Sequence, residues 1–287
     1  MRSVLSVHER VGAVGGGPLA SSIALTGFLS LFPLLLVGVA VLGFVSAGDD
    51  DFTDNVVEEL GLEGDAGDEV VEIIDRAEDT RQAASVLGIA GLLWAGLGVT
   101  GALETALNAV WQAPSRGITS RLVGLAWLAG AGLLFAASMA LGPLLGALPG
   151  PAAAPTIVAG LLLNTLLFLW MFVALTNLDL PWRAHLPGAV LGAVGLEVLK
   201  LVATIYVPRA VASSSALWGS LGVIFAILAW LALSARLVVY AAAFNVVRWE
   251  RAHGTVTVDI LVPRVEGQMP LEANRRGVVS ESTTGEG

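Results

Sequence analysis

The chain has 287 residues, of which 55% are hydrophobic and 14% charged, and its mean hydropathy is +0.79. Soluble domains carry about a quarter charged residues, so this composition excludes an ordinary water-soluble globule and points to a membrane protein. Cysteine is absent, which removes disulfides, thiolate metal sites and cysteine nucleophiles. The net charge of −9 is unevenly placed: fourteen acidic residues against two arginines between Asp49 and Arg81 make a local −12, and subtracting that from −9 leaves +3 for the rest.

A membrane-spanning helix needs roughly 20 mainly apolar residues. After a polar amino-terminal segment, residues 1–18, six stretches qualify: Leu19–Ala47, Val86–Val110, Leu122–Leu148, Pro155–Leu178, Ala184–Val207 and Trp218–Val247. The expected fold is all-α and polytopic, a six-helix transmembrane domain over residues 19–249. Between the first and second spans lies the acidic segment 49–82, where Val56, Val57, Leu60, Val70, Val71, Ile74 and Ala77 recur at helical spacing and predict one or two short amphipathic helices. Residues 250–287 form a carboxy-terminal tail, read as a short extended stretch over Thr255–Val262 and disorder from about Gln268.

Arginine and lysine near helix ends set the orientation. With the amino terminus in the cytoplasm, ten arginines fall inside (Arg2, Arg10, Arg116, Arg121, Arg183, Arg248, Arg251, Arg264, Arg275 and Arg276) and three outside (Arg76, Arg81 and Arg209). The expectation is a multi-pass protein of the inner (plasma) membrane with both termini cytoplasmic and the acidic segment external. The first apolar stretch is too long for a signal-peptide core and is read as retained. His8, His185 and His253 fall near the cytoplasmic ends and are read as interfacial; Trp111, Trp182, Trp218 and Trp249 sit at helix boundaries, where tryptophan anchors to headgroups.

Ionisable groups in the bilayer core are costly and mark the places to look for function. Glu104, Glu197, Lys200 and Arg236 are such groups, and Arg236 lies between the two acids in depth, which predicts a pairing with Glu197 or Glu104. Glu197 and Lys200, three apart, also face each other and could neutralise one another. Ser22, Thr26, Ser30 and Pro33 share one side of the first span, and Thr100, Glu104, Asn108 and Trp111 one side of the second. Each stripe reads either as interhelical glue or as the lining of a hydrophilic path, and Pro33 as either a hinge or a kink. On the fifth span Gly188, Gly192 and Gly195 form a small-residue packing face opposite Glu197.

The run from Gly96 to Gly101 matches the dinucleotide-binding letter pattern but sits inside an apolar helix with no preceding strand, so it is declined. No basic aromatic groove suited to nucleic acid is present, and no nucleophile–base or metal constellation, so no cofactor, metal or catalytic residue is expected.

From about Gly12 to Trp249 the chain resembles the YihY/BrkB family of bacterial inner-membrane proteins. The resemblance rests on Leu29-Ser30-Leu31-Phe32-Pro33-Leu34, on Ala106-Leu107-Asn108-Ala109-Val110-Trp111, on Leu186-Pro187-Gly188-Ala189, and on Trp230-Leu231-Ala232-Leu233-Ser234 with Asn245. It departs at Ala243, where similar proteins tend to carry glutamate. The resemblance implies a six-helix membrane domain without a settled biochemical activity; members have been labelled ribonuclease BN or associated with virulence, serum resistance or lipid export. The nuclease label finds no support in these residues. The leading expectation is transport or flipping of a lipid or small amphipathic solute, with no ATP-binding motif and hence passive or coupled to an ion carried on Glu104 or Glu197. The alternative is a structural or scaffold protein of the envelope. Expected partners are membrane lipids and either a second copy or an envelope protein, with no nucleic acid.

Overall fold

Gly15 takes a left-handed conformation, φ 69°, and there the polar start of the chain turns into the first apolar run. The computed structural model describes residues 2–48, 52, 53, 55, 65–114, 117, 119–146, 153–213 and 219–254. Before Gly15 lies α1 (Arg2–Ala13); after it come α2 (Gly16–Ser46), α3 (Asp65–Trp111), α4 (Thr119–Gly146), α5 (Ala153–Leu175), α6 (Trp182–Ser213) and α7 (Gly219–His253). Among the described residues there is no strand. The protein is all-helical and polytopic. Stretches of α2, α3, α5, α6 and α7 are long and apolar enough to cross a membrane, and α4 carries a shorter apolar stretch, Thr119–Leu134.

These helices turn apolar side chains outward as freely as inward. Leu35, Leu87, Leu122, Leu133 and Leu201 are each more than three-fifths exposed, a distribution that water would penalise at about 25 cal/mol per Å² and that lipid does not. With no hydrophobic drive between helices in lipid, close approach has to come from small residues. The seam between α2 and α3 illustrates this. A Cβ on Gly91 would stand 2.9 Å from the Pro33 Cβ, one on Gly88 3.0 Å from Val37, and one on Gly43 would overlap the Ala77 carbonyl, so the two helices run antiparallel in near-backbone contact. Ser46 Oγ donates to Glu78 Oε2 at 3.1 Å and Arg81 lies over the Phe44 ring, closing the seam at its far end.

Consecutive helices from α2 to α7 pack on one another and α7 returns to α2, while α3 also touches α5 and α7. Another close crossing lies at α7, where Ala241, Ala242 and Ala243 have no exposed surface. Across that end of the bundle lies α1, which was expected only as a polar segment. Val7 and Val11, four apart, are buried. Around them His8 Nδ1 meets the Tyr240 hydroxyl at 2.9 Å, Arg10 pairs with Glu250 at 3.2 Å, and Arg10 Nε donates to the Val110 carbonyl at 3.1 Å in the last turn of α3.

The acidic segment differs from expectation in its second half. From Asp65 onward it is not a separate short helix: α3 is continuous for 47 residues, about 70 Å at 1.5 Å per residue. Thr80 and Ser85 bond back to carbonyls of their own helix, so polar residues do not interrupt it. Residues 56–64, and the extended stretch and tail read over 255–287, lie outside the described residues.

Candidate functional site: a cleft between α2 and α4

Both α2 and α4 pack on α3 but make no substantial contact with each other among the described residues, which leaves a lateral cleft floored by α3. It has a volume of about 520 Å³, within the range of small-ligand sites. Thr26 and Leu29 of α2 form one wall and Ser120 and Arg121 of α4 the other; Trp94, Leu97, Thr100 and Glu104 come from α3. The cleft is mostly apolar toward Leu29, Trp94 and Leu97 and polar toward Glu104, Ser120 and Arg121. The dinucleotide-like run supplies part of its floor, where Gly98 and Gly101 have nothing within 4 Å of a Cβ position.

Glu104 is 8% exposed, the one carboxylate among the buried residues described, and no described side chain forms an ion pair with it. It sits seven residues before the end of α3, about 10 Å from the end where α1 docks. The hydroxyls nearby are occupied on their own helices: Thr26 Oγ1 donates to the Ser22 and Ile23 carbonyls, and Thr100 Oγ1 to Leu97. Ser30 Oγ likewise donates to Gly27, at 2.6 Å. The first stripe therefore bonds within α2 rather than across helices, and Ser22 is exposed. Pro33 has no N–H for the Leu29 carbonyl one turn back, and Leu29 stands on the cleft wall.

One turn from Glu104 the second stripe changes character. Asn108 Nδ2 donates to the Leu175 carbonyl at 3.3 Å and its Oδ1 accepts the Asn177 N–H at 2.7 Å, fastening the end of α5 to α3. Trp111 and His185 are buried edge to face with ring centroids 5.5 Å apart, and His185 is 1% exposed. Trp111 ends α3, as its boundary position in the sequence implied, but both side chains are enclosed by the bundle rather than turned outward. The segment Ser213 to Gly219 brackets Trp218, which lies outside the described residues, whereas Trp182 is half exposed and Trp249 stacks on His253 at 3.7 Å.

The other intramembrane charges do not join the cleft. Glu197 Oε1 accepts from Asn164 Nδ2 of α5 at 2.6 Å and from Lys200 Nζ at 3.0 Å. Arg236 is exposed on α7, and among the described residues it forms no ion pair with Glu197 or Glu104. The expected pairing fails because Glu197 is turned toward α5, on a different side of α6 from the glycines that meet α7. Those glycines divide their work: Gly188 and Gly195 lie against Ala241 and Leu237 of α7, and Gly192 against the Phe168 ring of α5, which a Cβ at Gly192 would meet at 2.6 Å. Asn245 Oδ1 accepts the Gly188 N–H at 2.6 Å, which makes Asn245 a latch between α6 and α7.

Sequence reasoning missed Asn164, which a scan for polar residues inside the fourth apolar run would have found, and Arg121, which counted only as a topological charge. Among the described residues no three His, Cys, Asp or Glu side chains cluster as a metal site.

A family model described as virulence factor BrkB matches residues 7–259. The chain is 26% identical over 238 residues to a UPF0761 membrane protein of Nitrosospira multiformis, covering 78% of this chain and 55% of that protein. It is 29% identical to a UPF0761 membrane protein of Rhodospirillum rubrum, with 82% and 56% covered, and 25% identical to the inner membrane protein YhjD of Escherichia coli, with 84% and 79% covered. The chain thus spans a little over half the length of the first two relatives. No solved structure matches.

Proposed function

Because the chain belongs to the BrkB family of membrane proteins, we propose that it moves a lipid or small amphipathic solute through the bilayer, with the α2–α4 cleft as its loading site. The observation that carries this reading is Glu104: a buried carboxylate with no ion-pair partner among the described residues, lining a cleft whose one end is apolar. Buried charges are normally paired, and Glu197 is already engaged by Asn164 and Lys200. The long side chains Leu29 and Leu97 offer an apolar wall to an acyl chain or ring, and the lateral opening gives access from a leaflet rather than from water. Pro33, packed against Gly91, supplies the weakest backbone point in α2 at the cleft's edge.

The orientation belongs to the same proposal. Ten arginines against three favour cytoplasmic termini, which puts the cleft in the cytoplasmic leaflet. Since the chain has no cysteine, Ser3→Cys and Asp68→Cys can be labelled singly in cells with an impermeant maleimide; labelling of Ser3→Cys and protection of Asp68→Cys would reverse the assignment.

The test of function is reconstitution into liposomes containing fluorescent lipids, with a reductant added outside. Wild-type protein should expose inner-leaflet lipid to the reductant, Glu104→Gln should slow this about tenfold, the loss expected from one charge-assisted contact, and Glu197→Gln should stay near wild type. Wild-type vesicles indistinguishable from empty ones across lipids and amphipathic solutes would overturn the reading in favour of an envelope scaffold. That second reading has its own support in the long acidic half of α3, where exposed Glu72 and Asp75 offer a docking surface.

A further inference from the structure

Resting on the loading-site reading, we propose that the cleft selects a zwitterionic phospholipid headgroup bearing a primary amine, with the ammonium on Glu104 and the phosphate beside Arg121. The cleft holds two opposite charges that are not paired with each other: Glu104 and Arg121 both line it, and no ion pair joins them. A site for a simple cationic amphiphile would need only the acid, and a site for an anionic lipid would make a buried carboxylate repulsive. A ligand carrying both signs a few ångströms apart satisfies both ends at once.

The two ends also differ in kind. Glu104 is nine-tenths buried and accepts hydrogen bonds only, so it rewards a cation with N–H donors and discriminates against a quaternary ammonium, which has none. Arg121 is exposed in the first turn of α4, where the positive end of the helix dipole adds to the guanidinium in favouring phosphate. Ser120 beside it adds a hydroxyl donor. Leu29, Trp94 and Leu97 continue the cleft on the apolar side, where acyl chains leave toward the bilayer. The volume of about 520 Å³ accommodates a headgroup and glycerol with the chains outside it.

The test is binding, read separately from transport. Purified protein in detergent is titrated with short-chain phosphatidylethanolamine, phosphatidylcholine and phosphatidylglycerol, and affinity is taken from the rise in Tm and from native mass spectrometry. Phosphatidylethanolamine should bind at least about tenfold tighter than either of the others. Glu104→Gln should bring that ratio within about twofold, whereas Arg121→Gln should weaken all three lipids together. Gly98→Leu, at a position with open space around it, should abolish binding by filling the cleft without removing a charge, and it serves if a charge variant fails to fold. Equal affinity for phosphatidylethanolamine and phosphatidylglycerol in the wild type, or a preference that survives Gly98→Leu, overturns the proposal. Selective binding with no transbilayer movement would leave this inference standing and remove the transport reading; movement of all lipids without preference would do the reverse.

Discussion

Asn108→Ala separates what holds the bundle from what lines the cleft. Asn108 is 6% exposed and bonds two backbone groups at the end of α5 and just past it, the Leu175 carbonyl and the Asn177 N–H. Truncation removes the side-chain partner of both in an apolar setting, at about 1–3 kcal/mol each, so the loss should be about 2–6 kcal/mol. For a protein of this size that corresponds to a Tm lower by roughly 4–24 °C, using about 2–4 °C per kcal/mol. The measurement is thermal unfolding in detergent or nanodiscs by intrinsic tryptophan fluorescence. Asn108→Asp should fare no better, because a carboxylate oxygen would then face the Leu175 carbonyl. Asn177→Ala should cost about 1 kcal/mol, since it removes the exposed bond to the Pro114 carbonyl and keeps the backbone N–H that Asn108 accepts. Glu104→Gln, one turn away but facing the cleft, should unfold within about 2 °C of wild type. An Asn108→Ala protein as stable as wild type would refute the division between fastening and lining residues on α3.

The remaining expectations concern backbone geometry. Gly188→Ala should cost about 3 kcal/mol, because its Cβ would overlap the Ala241 backbone carbonyl, whereas Gly195→Ala meets only the end of the Leu237 side chain and should cost about 1 kcal/mol; equal losses of Tm would contradict the α6–α7 crossing. Gln112 holds φ 55° as the left-handed residue closing α3, with Ala113 N–H bonded to the Asn108 carbonyl and Gln112 N–H to Ala109. Gln112→Gly should therefore raise stability by about 1 kcal/mol, and a lower Tm would show that the Gln112 side chain matters more than its backbone. Ala40 and Ala84 are buried in register with the Pro33–Gly91 and Val37–Gly88 contacts. Ala40→Cys with Ala84→Cys should form a disulfide on mild oxidation, visible as a mobility shift, and Ala40→Cys with Val99→Cys should not.

Long apolar runs declared the spans, because a spanning helix needs little but length and hydrophobicity. The glycines of α6 were visible as a face for the same reason: period and residue size are local properties. Partner choice was not. Arg236 lies between Glu197 and Glu104 in depth by sequence, but which of them meet depends on the rotation of each helix about its axis, and that is set by contacts such as Gly192 on Phe168. Asn164 escaped notice because one amide in an apolar run carries no pattern until Glu197 is turned toward it. His185 looked interfacial by position alone, whereas Trp111 and Phe172 close over it. The amphipathic α1 was hidden by its brevity, two valines four apart being too short a signal to stand on.

The uninterrupted course of α3 has a mechanical side. About 40 Å of rod separates Asp65 from the Pro33–Gly91 contact and about 20 Å separates that contact from Glu104, lengths in a ratio near two to one. Were α3 to pivot as a rigid rod on Gly91 and Pro33, a displacement of the acidic tip by about 2 Å would carry the cleft floor about 1 Å the opposite way, and the contacts of Gly43 with Ala77 and of Ser46 with Glu78 oppose that tilt.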